Sequence, residues 1–405
     1  VLVCTADVSA MNLSEMQKLA LTNRPLVQRY MADLEKSVQD VRRAKGGYLP
    51  SVDLSLSGSA LDEASSSEDD QSMVAAAKVS WNIFAGFKDR YTIESAQLQQ
   101  KVEKYRLQGI QQDLQLDVAL AYLDVYERWA NRRVAEAAFK TLEKVYQDGE
   151  NRYNVGLIGK NELLKFRVDY DNADITFKAA DAGLKKSVNS LSRQVGRQIQ
   201  FEELDFGDFV TLPNPVDIDT YRQKMLAQRS EILALQAGIE AASVQIDAQK
   251  SDYYPRLDAI GSYSKYDGYL YAGGDDESEL RGQLVLSMNL FRGFTTEATV
   301  ARAKVEVRGL NYDLEELKQS LLTGLDNLHI DVQVSRENVD VSLRSIEQAE
   351  ENLRITQLKY DEGLQRESDL LDAITALSRA KYNHVAVLRT LFLNNFRMIR
   401  MVDGF

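Results

Sequence analysis

Residues 73–87 decide the fold, and they read Met-Val-Ala-Ala-Ala-Lys-Val-Ser-Trp-Asn-Ile-Phe-Ala-Gly-Phe. Every second side chain up to position 83 is apolar: Met73, Ala75, Ala77, Val79, Trp81 and Ile83. Lys78, Ser80 and Asn82 stand on the opposite face, and this period of two predicts a β-strand with one apolar face. The same alternation returns in residues 283–291, where the apolar side chains are Leu284, Leu286, Met288 and Leu290.

A second strand is predicted just before each of these two. In residues 48–60 the apolar positions alternate with serine and aspartate, and residues 257–266 show the same pattern more weakly. Strands of about 10–12 residues are long enough to cross a bilayer when tilted. Aromatic side chains stand at the strand ends, as in an interfacial girdle, although ordinary strand-end packing gives the same pattern: Tyr48, Trp81, Phe84, Phe87, Tyr253, Tyr254, Phe291 and Phe294.

Four strands are too few to close a barrel, for which about eight is the practical minimum. Open strand edges in lipid would leave backbone groups without hydrogen bonds. If these strands cross a membrane, several copies of the chain must therefore contribute four strands each.

The chain contains an internal tandem repeat. Residues 48–53 recur at 253–258, residues 82–87 at 289–294, and residues 153–157 at 360–364, with offsets of 205 to 207 positions. Three blocks kept in order and register predict a duplication. We divide the chain into repeat 1 at residues 11–200, a linker at 201–220 and repeat 2 at 221–405. Each repeat is predicted to form a helix, two strands, a long helix, a turn and a further helix.

Long helices are expected after each strand pair. No proline lies between Gly86 and Leu212 or between Arg256 and Phe405, so nothing interrupts a helix there. The pattern from Gly86 to about residue 150 predicts a rod of roughly 95 Å. It carries two apolar stripes, which indicate two neighbouring helices, as in a helical wall. Shorter partner helices are predicted at 161–195 and 368–400, and the second long helix at 295–360.

Composition argues against several classes of protein. The net charge of −12 does not suit a nucleic-acid binder, which needs a basic surface. One cysteine and two histidines give little support to a zinc cluster or to a cysteine–histidine catalytic site. We find no catalytic constellation, and we expect no enzyme activity, no cofactor and no metal.

Residues 1–10 are interpreted as the remnant of a secretory signal. Val8-Ser9-Ala10 has the small-residue pattern after which a signal peptidase cuts. Lipidation of Cys4 is the alternative interpretation.

Taken together, these features resemble the TolC-like outer-membrane efflux protein family over nearly all of residues 11–400. The resemblance rests on the duplication, on the two strand pairs, on the Asn-x-Phe-x-Gly exit from each pair, and on two Tyr-x-x-Gly-Leu turns. It implies an α+β membrane protein in which a homotrimer, with four strands per chain, forms one transmembrane β-barrel and a long α-helical barrel. It also implies a place in the bacterial outer membrane, in contact with outer-membrane lipid and extending into the periplasm.

The function that the resemblance implies is passive export. Such a channel-tunnel is the exit duct of a tripartite efflux or type I secretion system. It docks with a periplasmic adaptor (membrane fusion) protein and an inner-membrane pump or ABC exporter. A different class of protein, a soluble coiled-coil scaffold that binds partners, would explain the helices but not four strands of bilayer length.

The resemblance also assigns candidate site residues. The adaptor-contact turns are Val155, Gly156 and Leu157 in repeat 1 and Glu362, Gly363 and Leu364 in repeat 2, where Glu362 departs from the usual valine. The periplasmic gate is assigned to Asp369, Asp372 and Tyr360. Spacing of three places both carboxylates on one helix face, so a trimer would carry two acidic rings that attract cations.

Repeat 1 does not reproduce the acidic pair, because Glu162 and Lys165 stand at the matching positions. Asp369 also has a simpler explanation, since the helix dipole favours an acidic residue near a helix N-terminus.

Overall fold

The computed structural model describes residues 11–62, 70–214, 217–267 and 277–405. The interpretation of residues 1–10 as a signal remnant, with its alternative at Cys4, lies outside the described residues. The division into two repeats stays a prediction.

The described part of the chain contains eight α-helices, four strands and four short 3-10 helices. The helices are α1 (Leu13–Asn23), α2 (Pro25–Lys45), α3 (Lys88–Asn154), α4 (Lys160–Val195), α5 (Ile218–Gln228), α6 (Ser230–Lys250), α7 (Thr295–Asp361) and α8 (Glu367–Met401). The strands are β1 (Ser51–Ala60), β2 (Gln71–Ala85), β3 (Arg256–Asp267) and β4 (Glu277–Ser287).

The chain divides into two compact units. The first holds Val1–Arg29, Gln108–Ser230 and Lys318–Phe405, and the second holds Tyr30–Leu107 and Glu231–Leu317. The first unit therefore contains both turns between long helices, and the second contains all four strands.

The four strands form one antiparallel sheet in the order β1-β2-β3-β4. Directly opposed residues share a face, and the register places Leu54 opposite Ala77, Ala77 opposite Tyr263, and Tyr263 opposite Leu280. The predicted apolar residues that pair in register therefore share one side of the sheet. That side is open to the surroundings, with Leu54 and Leu280 each 83% exposed. Met288 and Leu290 lie beyond the end of β4, and Ile83 lies at a register shift between Asn82 and Phe84.

The fourth strand differs from the prediction of residues 283–291. It begins at Glu277 and ends at Ser287. Its last residue pairs with Arg256, the first residue of β3, so the residues after Ser287 have no partner strand. In repeat 1 the equivalent residues stay in β2, which is a central strand and pairs as far as Ala85.

The sheet connects to the long helices through two left-handed turns. Gly86 and Phe87 have φ of 63° and 68°, and Gly293 and Phe294 have φ of 58° and 62°. A Cβ on Gly86 would lie 2.5 Å from the carbonyl oxygen of Ser251, so only glycine fits there.

The first helix predicted for repeat 1, ahead of its two strands, is broken in two at Arg24. Pro25 starts α2, because proline is tolerated in the first turn of a helix but not inside one. The guanidinium of Arg24 donates to the carbonyl of Arg193 over 2.8 Å, and Arg229 donates to the carbonyl of Arg400 over 2.7 Å. The same arginine therefore caps the end of the partner helix in both halves of the chain.

The linker packs on the first unit through aromatic side chains. Phe209 is buried, with its ring 4.6 Å from that of Tyr126 and 5.0 Å from that of Phe392. The hydroxyl of Tyr122 donates to the carbonyl of Asp205, and burial raises the pKa of Tyr122. These contacts fix the linker against α3 and α8.

Candidate functional site at the helical turns

Two turns with the same backbone end the long helices of the first unit. The amide of Leu157 donates to the carbonyl of Arg152 over 2.9 Å, and that of Leu364 donates to Lys359 over 2.8 Å. Gly156 and Gly363 have φ of 77° and 71°. This is the Schellman motif, in which a left-handed glycine follows the helix and its last carbonyls are satisfied.

A carboxylate closes the start of the helix that follows each turn. Glu162 accepts the amide of Gly159 over 3.1 Å, and Asp369 accepts the amide of Arg366 over 3.3 Å. Asp369 therefore caps its own helix, as the simpler explanation of this residue requires. It is only partly buried.

Two ion pairs connect the turn of one half of the chain to that of the other. Lys165 Nζ on α4 lies 2.6 Å from Glu367 Oε1 on α8, and Arg152 Nη2 on α3 lies 2.9 Å from Asp361 Oδ1 on α7. The side chain of Glu367 is 10% exposed. The hydrogen bond from Lys165 is the main cause of the lowered pKa of Glu367.

Tyr360 packs against one member of these ion pairs, Arg152. The guanidinium of Arg152 stands 4.9 Å above its ring, and the ring of Phe166 meets it edge-on at 6.3 Å. Its ring packs against the buried cluster of Val145, Phe166, Leu370 and Ile374. Burial raises the pKa of Tyr360, so it stays a neutral hydrogen-bonding phenol at physiological pH.

Asp372 lies away from the capping contacts, exposed on one wall of a groove between α4 and α8. The groove is lined by Asn161, Leu164, Lys165, Val168, Asp169, Ser368, Leu371 and Asp372. Asp169 faces Asp372 across it. Burial raises the pKa of Asp169, and the charge of Asp372 raises it further.

The predicted adaptor-contact turns are open surfaces. Val155, Leu157 and Leu364 are 71%, 73% and 73% exposed, and Glu362 and Gly363 are exposed as well. Apolar side chains on a protruding turn are available to a partner.

The structure thus brings the candidate gate and turn residues together within the first unit. Sequence reasoning missed Asp169, Lys165–Glu367 and Arg152–Asp361. Residues more than 200 positions apart have no common spacing from which a pairing can be read. No group of three metal-binding side chains occurs in the part of the chain that the structure describes.

The sequence profile of the outer membrane efflux protein family matches residues 17–197 and 221–396. The chain belongs to the outer membrane efflux protein family. It is an exit channel for efflux or secretion in the outer membrane, extending into the periplasm. Membership of this channel family decides against the soluble scaffold. None of the described helices is both long and apolar enough to serve as a membrane span.

Relatives of this efflux protein cover almost all of it. Protein CyaE of Bordetella pertussis is 23% identical, over 93% of this chain and 81% of its own. Outer membrane protein TolC of Escherichia coli is 21% identical, over 98% of this chain and 82% of its own. The crystal structure of outer membrane protein VceC from Vibrio cholerae shares the fold, with a TM-score of 0.80, 18% identity and coverage of 97% and 96%.

Proposed function

We propose that three copies of this chain close one twelve-stranded barrel and form the exit duct of a tripartite efflux or type I secretion system. The observation that carries the proposal is the open sheet. Among the described residues, β1 and β4 each pair with a strand on one side only, and the apolar face of the sheet is exposed. Unpaired strand edges are not tolerated in lipid, and neighbouring copies supply the missing partners.

The assembly is tested by the mass of the protein extracted from membranes in detergent. We expect a particle with three times the chain mass of 45.7 kDa, after the detergent is subtracted in a light-scattering measurement. A single chain recovered without detergent would remove the barrel.

The helical turns are proposed as the periplasmic entrance. Lys165–Glu367 and Arg152–Asp361 hold the two turns of each copy together. Tyr360 supports this contact from below, through Arg152 and Phe166. Breaking both ion pairs would free one turn to move from the other, which is what an entrance that opens requires.

Asp369 and Asp372 are proposed as the charged lining of this entrance. Asp372 is exposed and faces Asp169. The carboxylate of Asp369 caps its own helix, and the residue is partly exposed to solvent. Three copies give rings of negative charge, which concentrate cations and exclude anions at a constriction.

The exposed turns are proposed as the docking surface for a periplasmic adaptor that links the duct to an inner-membrane pump or ABC exporter. Val155, Leu157 and Leu364 supply the apolar contact. Replacing all three with serine should abolish adaptor capture in a pull-down while the trimer persists. Undiminished capture would place the adaptor elsewhere.

A further inference from the structure

The apolar face of the sheet contains a hollow. Gly261 on β3 lies directly opposite Gly282 on β4 and opposite Val79 on β2. A Cβ built on either glycine meets no atom within 4 Å, and neither glycine has a left-handed backbone. The backbone conformation therefore does not require glycine at either position. The absence of both side chains leaves open space on this face of the sheet.

The hollow has a defined border toward the helices. Its lining includes Pro50, Trp81, Ala259 and Leu284, all of them apolar. The indole of Trp81 donates to the carbonyl of Tyr48 over 3.0 Å, which fixes the ring at the edge. Missing side chains on two neighbouring strands leave a gap about 10 Å wide, enough for an acyl chain.

A groove with charged side chains lies close to the hollow along the chain, mainly between residues of α2 and α3. It is lined by Ser37, Asp40, Arg43, Gly47, Lys88 and Asp89, among others. Gly47 of the groove and Pro50 of the hollow are three residues apart, so at most about 10 Å of chain separates them. A Cβ on Gly47 would come within 2.8 Å of Asp89 Oδ1, so this glycine keeps the backbone close to the carboxylate.

The groove carries two cations and two anions. Arg43 lies 3.2 Å from Asp40, but its side chain is 83% exposed, so the pair is weak and opens at little cost. Lys88 makes no ion pair within the described residues. The Asp89 carboxylate accepts one hydrogen bond, from Asn82 over 2.8 Å. Its remaining lone pairs are available to a donor.

We propose that the groove and the hollow together bind one glycerophospholipid with a phosphoethanolamine headgroup. The phosphate contacts Arg43 and Lys88, the ammonium donates to Asp40 and Asp89, and an acyl chain fills the hollow between Trp81 and Leu284. A glycerol headgroup brings hydroxyl donors but no positive charge to balance the two carboxylates, and a choline headgroup brings a positive charge but no N–H to donate. The sheet face that carries the hollow is continuous with the lipid-facing surface of the proposed barrel, on which this inference rests.

The test uses the intact assembled protein in detergent. The protein is mixed with micelles that contain equal amounts of dioleoyl lipids with ethanolamine, choline and glycerol headgroups, and the lipid retained after washing is quantified by mass spectrometry. We expect several-fold enrichment of the ethanolamine lipid and one retained lipid per chain. Equal retention of the three lipids, or a preference for the glycerol lipid, would overturn the proposal.

Two variants separate the headgroup groove from the hollow. Arg43→Gln with Lys88→Gln should remove the ethanolamine preference. Gly261→Val should lower the retention of all three lipids. Ser262→Val is the matched control, because it adds the same side chain on the opposite face of the same strand. Equal retention by the two valine variants would contradict the hollow.

The mass of the same samples in detergent, measured by light scattering, keeps this inference distinct from the proposed function. A trimer without a lipid preference overturns the lipid site alone. A single chain overturns the barrel.

Discussion

The two helical turns share one backbone and differ in charge. Both use the same left-handed glycine, the same hydrogen bonds and the same carboxylate cap. One turn is followed by Glu162 and Lys165, the other by Asp369 and Asp372. Local hydrogen bonding therefore fixes the shape of both turns, and a single charge reversal, Lys165 against Asp372, makes them different surfaces.

The largest expected effect comes from removing the charge that only the second turn carries. Asp369→Asn with Asp372→Asn should lower the cation-over-anion permeability ratio of the reconstituted channel on the order of tenfold, because the ring concentrates cations. Glu162→Gln is the matched control in the first turn and should change the ratio little. An unaltered ratio in the double variant would remove the gate role.

The second-largest effect should come from breaking the Lys165–Glu367 contact between the turns. Lys165→Gln leaves the Glu367 carboxylate, 10% exposed, without its partner. Loss of the partner of a nearly enclosed carboxylate favours separation of the turns, although Lys165 itself is 55% exposed and water screens the pair. The open fraction in single-channel records should therefore rise a few-fold.

The reversed pair, Lys165→Glu with Glu367→Lys, should restore most of the closed fraction. A reversed pair no better than the single variant would show that the contact between these two positions does not hold the turns.

The shared backbone predicts equal effects from the two glycines. Gly156→Ala and Gly363→Ala should each cost about 1 kcal/mol, because alanine is strained in the left-handed region and neither site has a neighbour within 4 Å. Gly309→Ala, in the interior of α7 with open space around it, should instead stabilise the protein slightly. Dissociation temperatures of the assembled protein give all three values, and a clear difference between the two turns would mean that their surroundings differ.

The smallest expected effect is a difference between the pH at which Asp169 is neutralised and the pH at which the Lys165–Glu367 contact is lost. The pKa of Asp169 is raised by burial and by Asp372, so acid neutralises it above the ordinary aspartate value of about 3.9. The pKa of Glu367 is lowered through Lys165, so its contact persists until the pH falls through that lowered value.

Cation selectivity should consequently begin to fall before the turns separate. Asp169→Asn should move the start of the fall to lower pH by a fraction of a unit. A permeability profile recorded between neutral and acid pH that is identical for both proteins would contradict the role of Asp169.

The sequence predicted what local chemistry determines. The second long helix was expected at residues 295–360 and spans Thr295–Asp361. Glycine turns mark its two ends, and no proline interrupts it between them. Strand faces followed from strict alternation. The predicted end of β4 was wrong. A strand ends where its partner strand ends, and the sequence of one strand does not show where its partner ends.

The candidate site was only half accessible from sequence. Gly156, Gly363 and the Asp369–Asp372 pair belong to local motifs and could be named as candidates, and their roles stay predictions. Asp169 and the Lys165–Glu367 pair could not be named, because only the packing of α4 against α8 brings these residues together.

The most direct test of the central claim joins β1 of one copy to β4 of the next. Within one chain these strands are separated by two others, about 14 Å, too far for a disulfide. In a Cys4→Ser background, cysteines would replace Gln283 together with Ser51, Ser55 or Ser59 in turn. At least one combination should give covalent trimers on oxidation and single chains after reduction. Single chains in every oxidised combination would contradict a barrel closed by three copies.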